Sequence, residues 1–126
     1  MKVCIVGSRS LDTPDKVLPI IDKFVRELGT QQVTFLIGSA KGVDPLSKHY
    51  ADAHGIDVVE FIPYHLIDKT VEFDTKYFFI RTKQMIDNAD KVLAIWDTKS
   101  KGTHYAIKYS QKINKPVMVI KVPNAS

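Results

Sequence analysis

The strongest constraint on this chain is a repeating alternation. Short runs rich in β-branched residues are followed by stretches whose apolar residues recur every three or four positions. The runs are Lys2–Val6, Val33–Ile37, Ile56–Ile62, Val92–Trp96 and Val117–Val122. Apolar runs of this length suit strands buried on both faces. Between them lie helix-like stretches. The first opens at Thr13-Pro14 and carries Val17, Ile20 or Ile21, Phe24 and Leu28 before Gly29. The second carries Leu46, Tyr50 and Ala53 and ends at Gly55. The third runs from about Thr75 to Asn88, with Phe78, Arg81 or Thr82 and Met85 at helical spacing, and the fourth from about Thr103 to Ile113. Tyr64 to about Asp74 reads as an irregular segment. Strand-helix alternation predicts a parallel sheet with helices on both faces. With right-handed crossovers the predicted order is 3-2-1-4-5, an α/β Rossmann-like three-layer sandwich.

A chain of 126 residues is expected to form one domain, here residues 1–122 with a short tail at 123–126. It is 44% hydrophobic and 25% charged, an ordinary globular balance. The formal net charge of +4 suits an anionic ligand without arguing for nucleic acid. The single cysteine, Cys4, sits inside the first apolar run and reads as a small buried hydrophobe. One cysteine offers no disulfide framework, which points to a reducing compartment. No apolar stretch is long enough for a signal peptide or a membrane span. A cytoplasmic protein is the expectation.

The topology predicts where a ligand sits. In open α/β sheets it lies beyond the carboxyl ends of the strands, where strand order reverses. Here that is between the first and fourth strands. Gly7-Ser8-Arg9 follows the first strand, Gly38-Ser39-Ala40-Lys41-Gly42-Val43-Asp44-Pro45 the second, and Asp97-Thr98-Lys99-Ser100-Lys101-Gly102-Thr103 the fourth. All three turns are polar and contain glycine, and all fall at one sheet edge. The turns at the opposite edge show no such chemistry. Glycine turns leading into helices hold phosphates through free amides and the helix dipole. Asp44 followed by Pro45 reads as an N-cap with proline at the first helical position.

Individual residues each have a plainer reading. Arg9 could clamp a phosphate or be a surface arginine. Ser8, Ser39, Ser100 and Thr103 could contact a ligand or only cap turns. Lys41 could be a solvated side chain. Trp96, ahead of Asp97, could stack on a base or pack in the core. Tyr77-Phe78-Phe79 reads as core or a subunit contact. His49, His54, His65 and His104 lack metal-ligand spacing, so no metal is expected, and no cofactor.

Taken in order, Gly7-Ser8-Arg9, Gly38-x-Ala40-x-Gly42-x-Asp44, Arg81-x-x-x-Met85, Ala89-Asp90, Trp96-Asp97, Ser100-x-Gly102-Thr103 and Lys115-Pro116-Val117 resemble the SLOG superfamily of Rossmann-like nucleotide-binding domains. Within it the chain looks most similar to the small branch related to YspA and YpsA. The superfamily includes the lonely-guy phosphoribohydrolases and the DprA domain, which binds single-stranded DNA. The resemblance implies a nucleotide or nucleotide-derived ligand held by Gly7, Ser8, Arg9, Gly38, Ser39, Gly42, Asp44, Gly102 and Thr103, and Ala40, Lys41, Arg81, Trp96, Asp97 and Ser100 join them as candidate binding residues. It also implies a homo-oligomer, with the Phe78-Phe79 helix as a candidate contact.

Departures from the phosphoribohydrolases bear on chemistry. Their Pro-Gly-Gly-x-Gly-Thr-x-x-Glu motif places a glutamate where this chain has Ala106, and Gln84 replaces a second carboxylate. Cleavage of an N-glycoside passes through an oxocarbenium-like state that a carboxylate stabilises. Asp44 and Asp97 are the remaining catalytic candidates. The expectation is therefore nucleotide binding, with a nucleotide N-glycosidase as the alternative and single-stranded DNA binding as a further alternative. A nucleic-acid partner is not favoured, because the lysines read as spread along the chain with no basic stripe interleaved with aromatics.

Overall fold

The computed structural model describes residues 1–123; the rest of the expected tail, 124–126, lies outside the described residues. The elements in chain order are β1 (Lys2–Gly7), α1 (Pro14–Glu27), β2 (Thr34–Ile37), α2 (Val43–His54), β3 (Asp57–Glu60), α3 (Tyr64–Ile67), α4 (Lys76–Asn88), β4 (Lys91–Trp96), α5 (Lys101–Lys112) and β5 (Val117–Lys121). The five strands form one parallel sheet in the order β3-β2-β1-β4-β5. The order and the three layers are as expected.

The pleat of β1 shows why the sheet is covered twice. Val3 and Ile5 point to one face and Cys4 and Val6 to the other, as alternation requires. Val3 and Ile5 pack with Val17, Ile21 and Phe24 of α1, Phe35 and Ile37 of β2, and Leu93 and Ile95 of β4. Cys4 and Val6 pack with Leu36, Met85 and Ile86 of α4, Val92 and Ala94, and Ala106 and Ile107 of α5. Cys4 pairs in register with Val92 and Ile5 with Leu93. β1 and β4 are buried through their centres, while the edge strands β3 and β5 are mostly exposed or half-buried. Truncating Ile5 or Leu93 to alanine would cost about 2–5 kcal/mol. Burial pushes the Cys4 thiol far above its usual pKa, so it behaves as a neutral hydrophobe.

Several local expectations change. Gly55 ends α2 in the left-handed conformation, its N–H bonded to the Ala51 carbonyl, as expected. The start of α2 differs: Gly42 occupies the cap position at φ +80°, and Asp44 is already inside the first turn. The segment after Pro63 is not wholly irregular. It forms the short helix α3, and His65 anchors an aromatic cluster with Phe73, Tyr77 and Phe78 at centroid distances of 5.0–5.8 Å. α5 begins at Lys101 rather than Thr103, because Ser100 caps it. Among the described residues, no helix is long and apolar enough to cross a membrane.

Candidate functional site

The loops after β1, β2 and β4 meet at the carboxyl edge of the sheet, and close packing between them explains their glycines. A methyl group at Gly7 would lie 2.2 Å from a Val43 methyl, so Gly7 lets α2 seat against β1. At Gly42 it would lie 2.6 Å from the Ser8 carbonyl oxygen. The loops after β1 and β2 therefore meet backbone to backbone, without room for a β-carbon.

Asp44 and Arg81 converge over Gly38. A β-carbon there would lie 2.6 Å from Arg81 Nη1 and 3.0 Å from Asp44 Oδ2. Asp44 turns back from α2 and accepts a hydrogen bond from the Ala40 N–H at 3.0 Å, fixing the loop from inside the helix. Burial lifts its carboxyl pKa to about 6, against the downward pull of the Ala40 amide, Arg81 and the Gly38 amide. Arg81 comes from α4 and is only 8% exposed. Its Nη1 donates a long 3.4 Å bond to the Phe61 carbonyl, while its buried Nε has no hydrogen-bond partner among the described residues. Burial depresses its pKa, opposed by the Asp44 carboxylate. Arg9 and Arg81 each place a guanidinium 5.9 Å from the centroid of the Phe78 ring.

The loop after β4 is tied down by Asp97. One carboxylate oxygen accepts from the N–H groups of Lys99 and Ser100 at 2.8 and 2.7 Å, and the other from the Ser10 hydroxyl at 2.7 Å. Burial acts to raise its pKa, but these bonds outweigh it and hold the carboxyl down to about 2. Ser8 is buried. Its hydroxyl accepts from the Asp97 N–H at 3.0 Å and lies 3.4 Å from the Thr103 hydroxyl, joining β1 to β4 and α5. The Ser100 side chain accepts from the Thr103 N–H. Trp96 donates its indole N–H to the Ser100 carbonyl at 3.0 Å and stacks on His104.

These elements enclose a cleft of about 530 Å³. Of the residues expected at a site, Gly7, Arg9, Ala40, Asp44, Arg81, Asp97, Ser100, Gly102 and Thr103 line it. Gly38, Ser39, Lys41, Gly42, Ser8 and Trp96 do not line it. Ser8 and Trp96 are engaged in internal hydrogen bonds, and Gly38 and Gly42 lie beneath other groups. Ser10, Phe78, Phe79 and Thr82, which the sequence does not single out as site residues, also line the cleft. Phe78 is thus a cleft wall with two guanidiniums near its ring, and Phe79 packs on Tyr105 at 4.5 Å. Ala106 presents a methyl to the cleft.

The opposite sheet edge also has a cavity, of about 470 Å³. Tyr50 there donates to Asp22 at 2.8 Å, Asp22 also accepts from Arg26, and Tyr50 stacks on His54. These groups already satisfy one another across α1 and α2, whereas Arg81 on the cleft lining has a buried Nε with no hydrogen-bond partner among the described residues.

No family model matches this sequence, and no curated protein matches it. Among solved structures, DNA processing protein A from Helicobacter pylori, studied for its single-stranded DNA binding mode, superposes with a TM-score of 0.71. The match covers all of this chain and 68% of that one, at 24% identity. The two chains share a Rossmann-like fold. At that identity the likeness speaks to the fold alone, and the cleft's chemistry has to be read from its own residues.

Proposed function

We propose that this chain is a nucleotide-binding domain of the SLOG type, and that the cleft at the carboxyl edge takes a nucleotide by its phosphate. The observation that carries this reading is Arg81. A guanidinium that is nine-tenths buried, faces a cleft and has an unpartnered Nε is costly unless an acceptor reaches it. A phosphate oxygen in the cleft supplies an acceptor for that under-satisfied guanidinium, and Arg9, 5.9 Å from the centroid of the same Phe78 ring, supplies a second cation. Gly102 leaves the start of α5 open, since a β-carbon there would meet nothing within 4 Å. The volume suits a mononucleotide-sized ligand.

The test is calorimetric titration with nucleoside 5′-monophosphates and diphosphates and with the matching nucleosides. Phosphorylated ligands should bind and nucleosides should bind at least tenfold more weakly. Arg9→Ala should cost about tenfold or more, the worth of a charge-assisted hydrogen bond. Absence of nucleotide binding, or binding indifferent to Arg9→Ala, overturns the reading.

The second reading is single-stranded DNA at the same edge, favoured by the likeness to DNA processing protein A. It predicts that a labelled oligothymidylate binds more tightly than a mononucleotide and competes with it for the cleft. An N-glycosidase would need a proton donor near neutral pH. Asp97, held ionised, is unsuited to that role, and Asp44 is the carboxyl that could fill it. Free base released from a nucleotide and lost in Asp44→Asn would establish that activity.

A further inference from the structure

The charge of this chain is divided unevenly. All 14 acidic residues lie at or before Asp97, together with 12 of the 18 basic ones. Residues 98–126 hold the other six lysines and no carboxylate side chain. Such asymmetry points to a polyanionic partner for the basic portion. The modest net charge of +4 conceals it.

The fold gathers much of this charge on one face. On α5, Lys101, Tyr105, Lys108, Tyr109 and Lys112 recur at helical spacing, so they share a side of the helix. α4 packs alongside and adds Lys83. A groove of about 230 Å³ between the two helices is lined by Lys83, Tyr105, Lys108, Tyr109 and Lys112. The three lysines are exposed and the two tyrosines half-buried. The Tyr105 and Tyr109 rings lie nearly parallel, 6.3 Å apart at 8°, and Lys83 Nζ stands 5.5 Å from the Tyr109 centroid. The carboxylate in contact is Asp87, which accepts from the Tyr109 hydroxyl. Tyr105 of the groove packs on Phe79 of the cleft wall.

We propose that the α4–α5 face binds single-stranded nucleic acid, with Lys83, Lys108 and Lys112 on phosphates and Tyr105 and Tyr109 as stacking platforms for bases. Charge alone would suit any polyanion. The tyrosines select the partner, because a positive groove interleaved with aromatic faces takes unpaired bases as well as backbone. From Lys101 to Lys112 the helix spans about 16 Å, long enough to follow a strand for more than one nucleotide. The face lies outside the cleft, and the inference stands whether or not the cleft binds a nucleotide.

The experiment is fluorescence anisotropy of the full chain with a labelled 12-nucleotide oligothymidylate over a series of salt concentrations, with duplex DNA and polyglutamate as competitors. Three phosphate contacts predict that log K falls with log salt at a slope of about −2. Lys108→Ala/Lys112→Ala, both at exposed helix positions, should weaken binding at least tenfold and bring the slope to about −0.7. Tyr105→Leu should weaken oligothymidylate binding severalfold while leaving the slope in place. Circular dichroism and melting confirm that each variant folds. Mononucleotide binding at the cleft should be unchanged in the lysine variant, which separates this face from the cleft. The inference is overturned if the wild type does not bind the oligonucleotide, or if the double lysine variant binds it with the same slope. It is equally overturned if duplex DNA or polyglutamate competes as well as single strands and Tyr105→Leu has no effect, for then the face is a general polyanion surface.

Discussion

Asp44 should make the stability of this protein fall as pH rises through the weakly acidic range. Its carboxyl pKa is lifted from 3.8 to about 6 by burial. The unfolded chain releases that proton near pH 4, and the folded chain holds it until near pH 6. Between those values the folded state binds more protons than the unfolded state, so stability declines with rising pH. The favourable contribution is complete below pH 4 and gone above pH 6. A displacement of that size corresponds to about 3 kcal/mol for keeping the ionised form in the fold. Other groups titrate as well, so the informative quantity is a difference between two proteins. Asp44→Asn keeps an oxygen that can accept from the Ala40 N–H and removes the titration. It also leaves Arg81 without its facing charge, a cost that does not vary over this pH range.

Urea denaturation of both proteins at pH 3.5 and pH 7.5 tests this directly. The wild type should lose about 3 kcal/mol more than Asp44→Asn between the two conditions, or roughly 10 °C of melting temperature for a domain of this size. Parallel pH profiles would refute the reasoning, because they would mean that the carboxyl is hydrated or fully compensated by Arg81. A wild type that gains on the variant as pH rises would reverse the sign and make Asp44–Arg81 a stabilising pair. Phosphate in the cleft should compete with the Asp44 carboxylate for Arg81, so nucleotide affinity should also rise as pH falls toward 6.

Two glycines on the cleft lining should respond in opposite ways. Gly7→Ala pushes a β-carbon into Val43 and should cost about 1–3 kcal/mol by overpacking, whereas Gly102→Ala enters open space within α5 and should be neutral or stabilise by up to about 1 kcal/mol. Thermal melts of the two variants settle it, and the reverse order would contradict the packing at β1–α2. Ser100→Ala should cost about 1 kcal/mol through loss of the α5 cap, with Ser100→Asp restoring it; equal melting of all three proteins would remove the cap from the account. Asp97, held well below its usual carboxylate range, should contribute stability present above about pH 4 and lost as pH falls through about 2. An Asp97→Asn variant whose acid-unfolding curve matched the wild type would refute this.

How much of this was legible from residues alone follows from the range over which each effect acts. The alternation of Val3, Cys4, Ile5 and Val6 is local, and it determined strands buried on two faces. Repetition of strand and helix, with the handedness that L-residues impose, determined the 3-2-1-4-5 sheet and hence the edge where the polar loops meet. Gly55 as a left-handed helix end is likewise a single-residue property. What the sequence could not decide is which group each loop residue faces. Gly7 is required by Val43, 36 positions along the chain, and Asp44 holds the loop that precedes it rather than capping its own helix. Trp96 and Ser8 satisfy partners inside the protein, while Phe78 lines the cleft with the Arg9 and Arg81 guanidiniums near its ring. The basic C-terminal portion could have been counted from the residues, but its meeting with Lys83 depends on α4 lying beside α5. Periodicity and turn chemistry are carried by neighbours in the chain. Contacts and electrostatic surroundings are carried by neighbours in space, and only the packed sheet and helices assign those.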